Sequence, residues 1–177
     1  YRLNPRSRAF RCWSTHGHGE LALEAALQQS CNVYFYKIGQ MLGADAIADF
    51  SKRIGLSRPF SLELPNVKQG IVPSKAWKRE KLQEKWYQGE TLNYSIGQGF
   101  LTVTPMQVLR MIGVIASNGK IIEPTIIKGV QHKPQKIKIK QSHIAAVKNG
   151  MLKAVDTRYG TAHVAKVDFF KVAGKTG

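Results

Sequence analysis

Nowhere does the sequence hold the roughly 20 consecutive apolar residues that a membrane-spanning helix needs; its longest apolar pieces are of the size of Met111-Ile112-Gly113-Val114-Ile115-Ala116. No signal peptide opens it, so an anchor or export address is expected outside these residues. Acidic residues are scarce, 11 Asp and Glu against 27 Lys and Arg, and the resulting net charge of +16 points to an anionic neighbour, for which nucleic acid and an acidic membrane face both qualify. Only two cysteines occur, Cys12 and Cys31, too few for a disulfide scaffold; they leave open one disulfide, two buried thiols, or a shared metal. Internal repeats and low-complexity tracts are absent, which excludes solenoids and biased linkers.

What is there is a chain of 177 residues with a 43% hydrophobic share, enough for one domain with a sizeable core. Residues 1 to 18 are basic and irregular and read as a loop. Helix-forming spacing covers Glu20 to Gln29, Val33 to Leu42 closing at Gly43, and 44 to 55 with Asp45 as N-cap and Gly55 past the end. From Leu56 to Leu92 the pattern dissolves into a long connection with one short helix at most, in which Trp77, Trp86 and the charged 75 to 85 stretch read as a solvated helix rather than a docking surface. Thr104 and Pro105 open the clearest helix, which ends at Asn118-Gly119. Residues 121 to 130 are β-like, 133 to 140 alternate as an exposed strand does, and Ser142 to Val155 is helical with Ser142 as cap. The last residues, Phe169 to Gly177, read as a short apolar strand running into Lys175-Thr176-Gly177.

Two small groups of residues invite chemistry. Ser30-x-Asn32 places a hydroxyl and a carboxamide in an interhelical turn, where such side chains commonly bond local backbone. Lys175-Thr176-Gly177 follows an apolar strand and offers a charge, a hydrogen-bond donor and bare backbone that a peptide could approach. Singly, each is more readily structural than functional. In this order they resemble the second and third motifs of the penicillin-recognising serine acyltransferases, whose set is SxxK, SxN and KTG. The blocks CWSTHGHGELALEAALQQSCNVYFYKIGQMLG, LNYSIGQGFLTVTPMQVLRMIGVIASNGKIIEPTIIKGV and KVAGKTG look like the transpeptidase domain of class B penicillin-binding proteins. Gly17-His18-Gly19 and Val33-Tyr34-Phe35-Tyr36 look most like the penicillin-binding protein 2 group, which acts in sidewall elongation.

That resemblance implies an α+β fold, helices on a central antiparallel sheet, of which this chain is a mostly helical interior part of one domain. It implies a peptidoglycan D,D-transpeptidase that crosslinks stem peptides ending in D-Ala-D-Ala and is acylated by β-lactams. Ser30 would pass protons, since a hydroxyl both donates and accepts. Asn32 would hold the substrate amide, Lys175 would supply positive potential, Thr176 would bind the substrate's terminal carboxylate, and Gly177 would leave room along the strand edge. No Ser-x-x-Lys is expected in the sequence, since Ser7 and Ser14, the two serines near its start, are followed three places on by Phe10 and Gly17. The nucleophile is therefore expected upstream of Tyr1, and an oxyanion-hole donor worth about 3 kcal/mol beyond Gly177. This segment alone is expected to be inactive. Expected partners are the remainder of its own chain and membrane proteins of an elongation complex, with the catalytic domain in the periplasm and an anchor in the bacterial inner membrane.

Cys12, His18 and Cys31, with five and twelve residues between them, offer thiolate and imidazole ligands of the kind zinc prefers. Some members of the penicillin-binding protein 2 group carry zinc on the Gly-His-Gly histidine and a cysteine inside SxN; Cys12 would stand where those members place an aspartate, with a fourth ligand upstream. A Cys12–Cys31 disulfide and unlinked thiols are the alternatives. His16 and His132 are expected to face solvent. A binding domain of the same fold, penicillin-sensing or inactive, is the rival reading, although such sensors usually carry an apolar residue where Asn32 stands. Nucleic acid is not expected as a partner, because the basic tract HKPQKIKIK has few interleaved aromatics.

Overall fold

The computed structural model describes residues 1–60 and 67–177. The chain divides into two compact units, one of Tyr1–Ile38 with Lys140–Gly177 and one of Gly39–Ile139.

In the first unit, helix α1 (Leu23–Gln28) lies on helix α7 (Gln141–Asp156), with the start of α2 (Asn32–Leu42) following α1 and a 3-10 turn at His163–Ala165 following α7. Helix α1 is shorter than the expected Glu20 to Gln29. Its N-cap, Ala22, has an extended backbone and no side chain able to accept from the free first-turn amides, and none of the preceding residues supplies a cap. The close approach of α1 to α7 requires Gly150: a Cβ there would lie 2.7 Å from Leu27 Cδ1 and 3.3 Å from the Glu24 Cα. Beside that contact Lys153 Nζ pairs with Glu24 Oε2 at 2.6 Å. This draws the Glu24 carboxyl below the usual carboxylate range, the bond from Lys153 contributing most and that from Asn149 next. Apolar residues of α7 recur at Ile144, Met151, Ala154 and Val155, and these are buried; Ala154 and Val155 pack with Ala162 and Val172. Helix α7 starts one residue before the expected Ser142, which lies inside the helix, while Lys140 is the cap with no side-chain bond. The expected strand toward Gly177 has no ladder partner among the described residues; Gly174 N–H instead donates to Met151 O at 3.1 Å, so this stretch is held to α7.

The second unit takes the end of α2, then α3 (Ala44–Arg53), α4 (Lys75–Leu82), α5 (Gln88–Ser95), α6 (Pro105–Ala116) and a two-stranded antiparallel ladder, β1 (Lys120–Ile121) against β2 (Gln135–Lys136). Its core is Ala44, Ala48, Leu56, Val72 and Tyr94. Several expectations are corrected here. Gly43, not Asp45, is the N-cap of α3; Asp45 lies in the first turn and accepts from Lys75 N at 3.0 Å. The connection from Leu56 to Leu92 holds two helices, α4 capped by Ser74 and α5 whose Glu90 accepts from Tyr87 N at 2.7 Å; its 61–66 portion lies outside the described residues. Trp77 and Trp86 are half-buried rather than solvated, both against Phe100, with ring centroids at 5.6 and 6.4 Å. The strands expected over 121 to 130 and 133 to 140 shrink to the two-residue pairs of β1 and β2. His16 is exposed as expected, while His132 is half-buried.

Two buried cations brace this unit. Lys78, 1% exposed, pairs with Glu90 and, at 3.2 Å, with Glu84. Burial alone would lower its pKa, but the bonds to Glu90 and Glu84 outweigh that and raise it. Arg110, also 1% exposed, donates to Gly55 O, Arg58 O and Pro59 O, pairs with Glu123 at 2.6 Å and stacks 3.7 Å over the Phe60 ring.

Substituting Gly150→Ala forces α1 and α7 apart; a loss of about 2 kcal/mol, read as a lower midpoint in thermal unfolding of the full-length protein, is expected.

Candidate active site

Helix α1 ends in a Schellman turn. Cys31 N–H donates to Ala26 O at 2.9 Å and Ser30 N–H to Leu27 O at 3.3 Å, which places Ser30 at the position that favours glycine. Its φ is +50°, a left-handed backbone that costs a side-chain-bearing residue about 1 kcal/mol. The strain aims the hydroxyl away from α1. Lys175 Nζ donates to Ser30 Oγ at 2.6 Å and to Thr176 O at 2.6 Å, and lies 3.5 Å from Thr176 Oγ1. Two motifs 145 residues apart thus meet through one ammonium. Desolvation pulls that ammonium below the usual lysine range. Asn32, the first residue of α2, is half-buried, and its carboxamide has no partner among the described residues. Gly177 faces open space.

Cys12, His18 and Cys31 converge as well, with their ligand atoms all within 4.8 Å of one another. Cys12 Sγ lies 3.7 Å from His18 Nδ1 and accepts from Asn32 N–H at 3.3 Å. Cys31, buried just before α2, has its thiol pushed up first by burial, while the amides of Tyr34 and Val33 favour the thiolate. Both sulfurs therefore sit at the positive end of α2. Both cysteines are free thiols here, and His18 Nε2 is buried with no partner among the described residues. Trp13 Nε1 donates to Gln29 O at 2.9 Å and fixes the loop that carries Cys12 and His18 to the end of α1.

Sequence reasoning missed Thr161 and Gln28. Thr176 Oγ1 lies 3.0 Å from Thr161 Oγ1; Thr161 in turn sends its N–H and its hydroxyl to Gln28 O, at 3.1 and 3.3 Å. No motif flags a lone threonine after a helix. The neighbouring Gly160 is the available signal: a Cβ on it would lie 2.2 Å from Ala154 O, so only glycine lets the chain fold back on the end of α7 and present Thr161. Contrary to the expectation that no Ser-x-x-Lys is present, the sequence contains one such string, Ser117 to Lys120. It closes a local turn after α6, where Ser117 Oγ donates to Lys120 O at 2.7 Å and accepts from Lys120 N at 3.2 Å.

The family model of the penicillin binding protein transpeptidase domain matches residues 2–177. The chain belongs to that family. Within it, the chain is of the penicillin-binding protein 2 type. It is 30% identical over 190 residues to the peptidoglycan D,D-transpeptidase MrdA of Haemophilus influenzae, covering all of this chain and 29% of that protein. To the MrdA of Salmonella typhimurium it is 34% identical over 120 residues, 68% of this chain and 19% of the relative. Among solved structures, penicillin-binding protein 2 of Helicobacter pylori in complex with MreC superposes with a TM-score of 0.88 at 32% identity, covering 95% of this chain and 32% of that one. Penicillin-binding protein 2 of Pseudomonas aeruginosa in complex with WCK 5153 gives 0.85 at 32% identity, covering 93% and 38%. The chain thus spans less than two fifths of these relatives. The expected transpeptidase fold is the one found, represented here by its helices and a small antiparallel ladder.

Because Ser30 holds a glycine-favouring backbone, Ser30→Gly and Ser30→Ala remove the same hydroxyl but not the same strain. The glycine variant should be the more stable of the two by about 1 kcal/mol in chemical denaturation.

Proposed function

We propose that this chain is the SxN and KTG portion of a peptidoglycan D,D-transpeptidase that works through a serine acyl-enzyme, the nucleophile being supplied outside these residues. What supports the reading is the 2.6 Å contact between Lys175 and Ser30, because it assembles the two motif groups into one proton-handling pair. The nucleophilic serine passes its proton to the SxxK lysine, likewise supplied outside these residues, as it adds to the penultimate D-Ala carbonyl of a stem peptide. The bond to the terminal D-Ala nitrogen then breaks, and that nitrogen takes a proton from the Ser30 hydroxyl, which Lys175 replenishes. An amine from a neighbouring stem attacks the resulting ester and releases the serine. Thr176 binds the substrate's terminal carboxylate, Asn32 offers its unpartnered carboxamide to the substrate amide, and Gly177 leaves the approach open. β-Lactams acylate the same serine. Alone, the segment is inactive. The whole protein works in the periplasm, held to the inner membrane by an anchor outside these residues, and docks on membrane proteins of the elongation machinery, as the Helicobacter relative does on MreC.

Cys12, His18 and Cys31 fit a structural zinc. Two ligands on one tetrahedral zinc stand about 3.6 Å apart, close to the 3.7 Å between Cys12 Sγ and His18 Nδ1, and amides at the start of α2 reach both sulfurs. Bound there, the ion would tie the loop of Cys12 and His18 to the Ser30 turn without redox chemistry.

Full-length protein should be labelled covalently by a fluorescent penicillin. The charged form of Lys175 is favoured less than in free lysine, so it is lost as pH rises through a lowered value: labelling should fall at alkaline pH with a midpoint below that of a free lysine, and Lys175→Arg should remove that fall. Absence of labelling defeats the reading, as does an alkaline limb unmoved by arginine. Metal analysis should find about one zinc per chain, lost in Cys31→Ala; a zinc content near zero in folded protein rules the metal out.

A further inference from the structure

We propose that Thr161 is a positioning residue that sets which way the Thr176 hydroxyl points its proton, and so tunes recognition of the substrate carboxylate; this rests on the reading of Thr176 as the carboxylate's partner. Two acceptors compete for one proton. To bind a carboxylate, which only accepts, Thr176 must donate its single O–H. In the structure that proton has another acceptor, Thr161 Oγ1 at 3.0 Å. Thr161 can take it because its own proton goes to Gln28 O at 3.3 Å.

Gln28 O is already satisfied by the Thr161 N–H at 3.1 Å. Withdrawing the hydroxyl from it therefore orphans nothing. Rotation of the Thr161 hydroxyl toward Thr176 Oγ1 reverses the pair: Thr161 donates, Thr176 accepts, and the Thr176 proton is released for the incoming carboxylate. In either direction the Thr176 oxygen stays anchored. The reversal turns two hydroxyl hydrogens and moves no heavy atom.

Local structure holds Thr161 in place for this. Ala162 N–H donates to Ala154 O at 2.9 Å and Gly160 N–H to Thr157 O at 3.0 Å, so the loop is clamped to the end of α7. Gln28 Nε2 donates to Thr157 Oγ1 at 2.8 Å, fixing the other side. Since Gln28 lies two residues before Ser30, a closed circuit runs from Ser30 to Lys175, Thr176, Thr161 and Gln28 and back through the chain. Thr161 touches no reacting atom in this circuit. Its influence passes through Thr176.

The test uses full-length protein carrying Thr161→Val, Thr161→Ala or Thr161→Ser, with fluorescent penicillin acylation resolved into non-covalent affinity and the acylation rate at saturation. The valine and alanine variants should lose about tenfold in affinity with the saturated rate little changed, and serine should restore it. A merely structural role would lower the labelled fraction and leave affinity alone. Wild-type affinity in the valine variant overturns the proposal, and so does a serine variant as weak as valine. Hydrogen exchange separates this from the functional reading. If wild-type protein takes no penicillin, that reading fails, and exchange at 174–177 decides for Thr161: faster in the valine variant upholds its anchoring of Thr176, and no change overturns it.

Discussion

A serine held in a left-handed backbone at the end of α1 is the constraint around which the site is organised. Glycine would close the same Schellman turn with less strain, yet glycine has no oxygen for Lys175 to bond. The turn also sets the surroundings of the next two residues. Cys31 is buried at the head of α2, so its sulfur meets the free amides there, and Asn32 becomes the first helical residue. One unfavourable φ therefore sets the direction of a hydroxyl, a thiol and a carboxamide in three consecutive residues.

How much of this is legible in the sequence depends on the range of the forces involved. Helix α6 is legible at its start because its signals are local: Thr104 accepts from Gln107 N, Gln107 answers to Thr104 N, and Pro105 has no amide to leave unpaired. Ser30, Asn32, Lys175 and Thr176 are legible through the order of motifs, and the structure brings Ser30 to Lys175 and Thr176, as it brings Cys12 to His18 and Cys31. The strands are over-read, since an alternating pattern shows what a strand would look like but not whether a partner backbone lies beside it. Thr161 is invisible because its importance comes from a hydroxyl 15 residues away in sequence, in Thr176, and from a carbonyl 133 away, in Gln28.

Not all of the positive charge lies at the surface. Two of the cations are interior: Lys78 lies between two carboxylates, and Arg110 serves three carbonyls and Glu123. Scarce acids are thus placed where a buried charge must be matched, at Glu90 and Glu123, each reaching a cation within one unit of the fold. The surface keeps the excess. At the candidate site, partial desolvation lowers the hold of Lys175 on its proton.

The length of α1 is as tightly specified as its composition. The helix is keyed to α7 along its length, by Gly150 beneath Glu24 and Leu27 and by the Glu24 pair in its first turn, and its C-terminal end delivers Ser30. A single residue inserted or deleted between those contacts and Ser30 would swing the outgoing chain by about 100° around the helix axis. A change of one codon in length there would therefore carry the Ser30 hydroxyl away from Lys175, whereas an exchange of one side chain for another leaves the spacing intact.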